Sequence, residues 1–344
     1  MYSESDLESA VEAGVLTRPD ADAFRNHVAA LRQAPAVDEE QFRLLTGFND
    51  IFVSIAIVLL LVAVGQIGQS VASALGAAAV AASAWMLAEY FTARRRMALP
   101  SILLLAAFVG GAAGTIYALM APLLVTSDGF EACQRMQGII AAAAALVAAG
   151  AAWMHWRRFH VPITVAAGAA SAVAVLLSLT MAIAPETRAA FWAMLLVCGV
   201  AVFALAMRWD LSDRERRTRR SDVAFWLHLA AAPMIAHPLF QLLGVFGGEI
   251  GPVTAVLVLG LYIAFAVVAL AVDRRALLVS SLAYVLYAMY ALVRSSGAVE
   301  LSAAITALVI GSALLSLSAF WQPTRRLVVE RLGDMGRRLP PVHT

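Results

Sequence analysis

Lysine is absent from the 344 residues; all 25 basic side chains other than histidine are arginine. That excludes a lysine Schiff base and the phosphate-binding lysine of a nucleotide loop. Cysteine occurs only as Cys133 and Cys198. The first is expected in an external loop and the second inside an apolar stretch. A disulfide between them is not expected, and two thiols cannot build a multi-cysteine metal site. Charge is scarce, at 14% of residues with a net charge of +2, where soluble domains carry about a quarter. A strongly basic nucleic-acid binder is thereby excluded. The first fifty residues lack a basic segment followed by an apolar core, so no cleavable signal peptide is expected.

What remains is apolar. Hydrophobic residues make up 62% of the chain and the mean hydropathy is +0.81. They fall in blocks near the twenty residues that a helix needs to cross hydrocarbon while bonding its own backbone. Ten segments qualify: 51–68, 71–91, 99–125, 139–156, 161–184, 189–208, 223–244, 253–272, 276–293 and 301–321. The expected fold class is all-α, a polytopic membrane helix bundle over residues 49–322. It carries a small cytosolic helical hairpin in 1–48 and a basic cytosolic tail in 323–344. The third segment is long, so a tilt or a bend near Pro122 is expected.

Arginine placement sets the orientation. With the N-terminus inside, internal connections hold Arg94, Arg95, Arg96, Arg157, Arg158, Arg208, Arg214, Arg216, Arg217, Arg219, Arg220, Arg274 and Arg275. External connections hold only Arg135, Arg188 and Arg294. The bias alternates from loop to loop, which places both termini in the cytoplasm of a bacterial inner membrane. The lipid bilayer is the expected partner, with anionic headgroups at the internal arginines, above all in the charge-dense stretch from Asp210 to Asp222.

In the N-terminal appendage, Asp6 to Ala13 reads as a helix stopped by Gly14. Thr17 is placed to cap the next helix, with Pro19 and Asp20 in its first turn. Phe24, Val28 and Leu31 form its apolar stripe. Pro35 ends that helix, and Asp38 begins another with Phe42, Leu45 and Phe48 on one side. The approach to the first span, Asp38-Glu39-Glu40-Gln41-Phe42-Arg43-Leu44-Leu45-Thr46-Gly47-Phe48-Asn49-Asp50-Ile51-Phe52, and the Ala13 to Thr17 turn resemble an uncharacterised bacterial multi-pass membrane-protein family of the domain-of-unknown-function type. The resemblance implies an inner-membrane bundle behind a cytosolic helical pair. It brings no catalytic residue.

Ionisable side chains in a bilayer are costly and therefore functional candidates. Glu89 reads either as a carboxylate paired with Arg94 to Arg96 or as a proton or cation site. The seventh span, Phe225 to Gln241, holds His228, His237, Gln241, Pro233 and Pro238. His237 and Gln241 share a helical face. The prolines deprive the Leu229 and Met234 carbonyls of donors, and interrupted helices commonly frame transporter sites. The span is read either as a kinked, hydrogen-bonded helix or as the wall of a polar cavity. Tyr284, Tyr287 and Tyr290, with Tyr262 and Tyr117 in other spans, either line that cavity or pack between helices. His155 and His160 read as interfacial anchors. Gly110 and Gly114 form a GxxxG pair suited to close packing. No metal site is expected, since neither histidine has ligands at the required spacing. No phosphate loop, nucleophile elbow or carboxylate pair is present, so no cofactor and no catalytic residue are expected.

Three function classes follow. A small-solute transporter would use His228, His237, Gln241, Glu89, Tyr284 and Tyr287 as tentative binding residues. A membrane scaffold or sensor would bind a cytosolic partner through the N-terminal hairpin. A membrane enzyme acting on lipid is the least supported, for want of acid–base pairs.

Overall fold

The protein is represented by a computed structural model that describes residues 4–31, 48–125, 129–214, 216, 218–245, 251–295, 302–333 and 339. Among them are thirteen helices and no strand. The chain divides into an N-terminal unit over residues 1–42 and a second unit over 43–342.

In the first unit, α1 (Glu4–Glu12) ends at Gly14, whose φ of +72° is the left-handed conformation that a glycine adopts without penalty. Next comes α2 (Arg18–Leu31). Its first turn is capped as the sequence implies: the Thr17 hydroxyl accepts from the Asp20 amide at 3.3 Å and donates to the Asp20 carboxylate. Leu7 and Ala21 are buried, while Phe24 is 43% exposed. The helix expected from Asp38 lies almost wholly outside the described residues.

The second unit contains α3 (Phe48–Gln69), α4 (Ser73–Phe91), α5 (Ala98–Leu124) and α6 (Phe130–Phe159). These are followed by α7 (Ile163–Ile183), α8 (Arg188–Ser212), α9 (Arg219–Leu242) and α10 (Pro252–Val272). The last are α11 (Ala276–Ser295), α12 (Ser302–Ala319) and α13 (Trp321–Arg331). Each of the ten expected spans thus lies on its own helix, α3 to α12. Among the described residues, eight of them, α3 to α10, suit a membrane crossing by length and composition, and α12 with α13, joined by a 75° bend, makes up to nine. The architecture is an all-α polytopic helix bundle, and such helices define an integral membrane protein.

Several boundaries differ from those expected. Helix α6 begins nine residues before the expected span and runs 30 residues, about 45 Å, so Cys133 lies in its first turns and not in a loop. Pro122 falls in the last turn of α5. Pro233 and Pro238 lie inside α9, which continues through both as one helix; the neighbouring turns hold it across the lost amide bonds. Residues 323–331, read from sequence as the start of a basic tail, are helical and hold Arg325 with no exposure.

Close helix contacts come from small residues, but not from the expected pair. A Cβ on Gly111 would sit 2.8 Å from the Ala77 carbonyl oxygen of α4. One on Gly110 would meet nothing within 4 Å, and one on Gly114 only a methyl at 3.5 Å. The residue between the two glycines of the motif faces the neighbour. Gly199 does the same work in α8, where a Cβ would lie 2.9 Å from the Met234 backbone of α9. Half of the most apolar stretch is buried in both α6 and α9, against 11% in α7 and 28% in α10. Among the eight helices so compared, these two are the most enclosed.

Candidate functional site on the ninth helix

Asp210, near the end of α8, is 1% exposed. Its Oδ2 lies 2.9 Å from His228 Nε2 of α9 and accepts from Arg274 Nε at 3.2 Å. The second Asp210 oxygen accepts from Arg274 Nη2, which also donates to the Ser221 carbonyl at 3.2 Å. Three segments are tied together by charges that have left water. Such a cluster is costly to bury and costly to break, because removing one partner strands another.

Arg274 belongs to the turn after α10, and its neighbour Asp273 builds a second cluster. Asp273 closes α10 in the left-handed conformation, φ 60°. Its carboxylate accepts from Arg216 Nη1 at 2.9 Å and from the Trp321 indole at 2.8 Å. Arg325 Nε lies 3.5 Å away, and Arg275 sits over the Trp321 ring at 4.9 Å. Arg216 also donates to the Asp273 and Val272 carbonyls. One turn of chain therefore holds the α8–α9 connection through Asp273 and Arg274, and holds α13 through Asp273.

Higher on α9, His237 Nδ1 lies 2.7 Å from the Tyr284 hydroxyl of α11. The Trp192 ring of α8 is 4.9 Å from the imidazole, and Phe240 stacks on Tyr284 at 4.3 Å. Of the residues singled out from sequence, His237 and Tyr284 are thus brought together. His228 is drawn instead into the ionic cluster, Gln241 is half-buried at the end of α9, and Tyr287 is 48% exposed. Glu89 pairs with neither site. It accepts from Arg158 Nε and Nη2 at 2.9 and 2.6 Å, not from Arg94 to Arg96; Arg95 turns to the Tyr90 hydroxyl. A groove of about 670 Å³ runs over Phe203, Met207, Arg208 and Leu211, and one of about 570 Å³ over Leu239, Leu242, Val256 and Leu261. Neither is lined by His228, His237 or Gln241.

His155 corrects a second expectation. It is no interfacial anchor but has no exposure at all. Its ring lies among Trp85, Phe108 and Phe159, with Nδ1 3.2 Å from the Thr164 hydroxyl and, among the described residues, no partner for Nε2. His160 is exposed, as expected, and closes α6 with φ 53°. In the stretch from Asp210 to Asp222, Asp210 and Arg216 turn into the protein, while Arg214, Arg219 and Arg220 are exposed.

The sequence reading missed Asp210, Asp273, Arg274, Trp321 and Arg325. A signal did exist: an aspartate before the arginine-rich connection, and an Asp-Arg pair directly after an apolar run. The general demand for arginine on that side masked it. Among the described residues no three His, Cys, Asp or Glu side chains group as metal ligands. Comparison with protein-family models, with curated proteins and with solved structures finds no match to this chain.

Proposed function

We propose that this membrane bundle carries a small solute across a bacterial inner membrane, with the His237–Tyr284 pair and Gln241 contributing to the solute site. The observation that carries the reading is an imidazole–hydroxyl pair, flanked by Trp192 and Phe240, on a helix with two internal prolines. Polar groups on apolar helices are costly there and mark solute or ion pathways by default.

Ten crossings with both termini cytoplasmic have support in the contacts. Glu89 near the end of α4 meets Arg158 near the end of α6. Asp210 near the end of α8 meets Arg274 just after α10, and Asp273 beside it meets Trp321 just after α12. The even-numbered helices from α8 to α12 thus finish together, as α4 and α6 do, and the arginine bias marks those ends as internal. Exposed Arg94, Arg95, Arg96, Arg157 and Arg208 are placed to meet anionic headgroups.

The test is uptake of radiolabelled amino acids, sugars and carboxylates by liposomes holding the purified protein. At least one class accumulates tenfold above protein-free liposomes, and His237→Leu and Gln241→Leu each abolish that uptake. Normal uptake in both variants removes the site; no uptake of any class removes transport. A separate N-terminal unit favours the second reading, a scaffold or sensor. Deleting residues 1–37 leaves insertion and uptake intact if the protein is a transporter; on the scaffold reading the full chain shows no uptake, and the deletion removes function while leaving insertion intact.

A further inference from the structure

Two buried polar atoms on α9 and α10 are left over by the ionic cluster and the His237–Tyr284 pair. Among the described residues, His228 Nδ1 and the Tyr262 hydroxyl have no hydrogen-bond partner. Tyr262, on α10, packs against the apolar cluster that contains Ala232 and also against the one that contains Ala236. Those two alanines lie on α9 between His228 and His237, which stand about 13 Å apart along the helix axis. At the same level Pro233 takes away the donor to the Leu229 carbonyl. An unmet polar group in such surroundings costs about 1–3 kcal/mol, and bound water is the usual remedy where several lie within reach.

We infer that water links Asp210–His228 through Tyr262 to His237–Tyr284, and that this file conducts protons across the bundle. The inference rests on the transport reading of α9 and names the proton as its coupling ion. At each step one N–H or O–H bond forms as the next breaks. An imidazole takes a proton on one ring nitrogen and gives one up from the other, so a single proton crosses and no electrons are exchanged. The charged groups that face His228 are Asp210 from α8, Arg274 from the turn after α10 and Arg216 from the α8–α9 connection. Helix α7 brings no charged residue. At His237, Tyr284 is a titratable neighbour.

The experiment uses the full chain in phosphatidylethanolamine–phosphatidylglycerol liposomes with a trapped pH dye. A potassium gradient and valinomycin set the interior negative. Wild-type liposomes should acidify at least tenfold faster than protein-free ones. Tyr262→Phe, which removes one hydroxyl and leaves the ring, should cut that excess rate tenfold, while Tyr117→Phe on α5 should not change it. Acidification no faster than in protein-free liposomes overturns the inference, and so do equal rates in the two tyrosine variants. Uptake from the solute panel, measured with and without a pH gradient, separates the two readings. Uptake that ignores the gradient leaves transport standing and removes the proton path. Proton flux that needs Tyr262, without uptake of any solute, leaves the path standing and removes solute transport.

Discussion

Helices α6 and α9 each carry one histidine with no solvent exposure, His155 and His228, yet these two are held in opposite ways. The first lies in an aromatic cage with one threonine hydroxyl, and none of those neighbours is charged. The second abuts a buried carboxylate that is itself gripped by an arginine. Equal burial therefore does not mean an equal role. Around His155 the enclosure is dispersion and shape. Around His228 it is charge, which is worth having only if every member stays in place.

The largest expected effect tests that dependence. Asp210→Leu strands Arg274 in the bundle and should destabilise it by roughly 3–5 kcal/mol, read as a fall in the thermal unfolding midpoint in detergent. Adding Arg274→Met should restore much of the loss. If the double variant unfolds no later than the single one, the charges are not acting as a unit. Next, Gly111→Val drives a side chain into the Ala77 carbonyl of α4 and should cost about 1–3 kcal/mol, whereas Gly110→Val should be close to neutral. Equal midpoints would show that the α4–α5 contact is not where the backbone places it.

His155→Phe sharpens the contrast directly. The cage already consists of rings, so the change loses one hydrogen bond and should cost about 1 kcal/mol, far less than the same replacement at His228. A comparable loss at both positions would erase the distinction. The smallest effect belongs to Glu89→Gln. Its pair with Arg158 is partly exposed, at 36% and 53%, and such pairs contribute about 0–1 kcal/mol. A large drop in midpoint there would mean that Glu89 has a role beyond this pair.

Periodicity and apolar run length brought out α3 to α12 one by one, because a helix that satisfies its own backbone declares itself locally. The cap at Thr17 and the stop at Gly14 were legible for the same reason. The partners of the polar residues were not. Glu89 lies five residues from the nearest candidate arginine and pairs with one 69 residues away. Arg325, in a stretch that reads as an exposed basic tail, is fully buried, because the bend after α12 returns α13 to Asp273. His228 and His237 looked alike on one span, and only the helices beside them separate an ionic cluster from an aromatic pair.

The amino-acid order by itself determined that this chain forms apolar helices and which of their ends carry arginine, since both follow from side-chain transfer between water and hydrocarbon, residue by residue. Which buried imidazole meets a carboxylate, which glycine touches a neighbouring backbone and where Arg325 goes were decided only by tertiary packing. Those outcomes depend on the rotation and register of one helix against another, and no single segment encodes either.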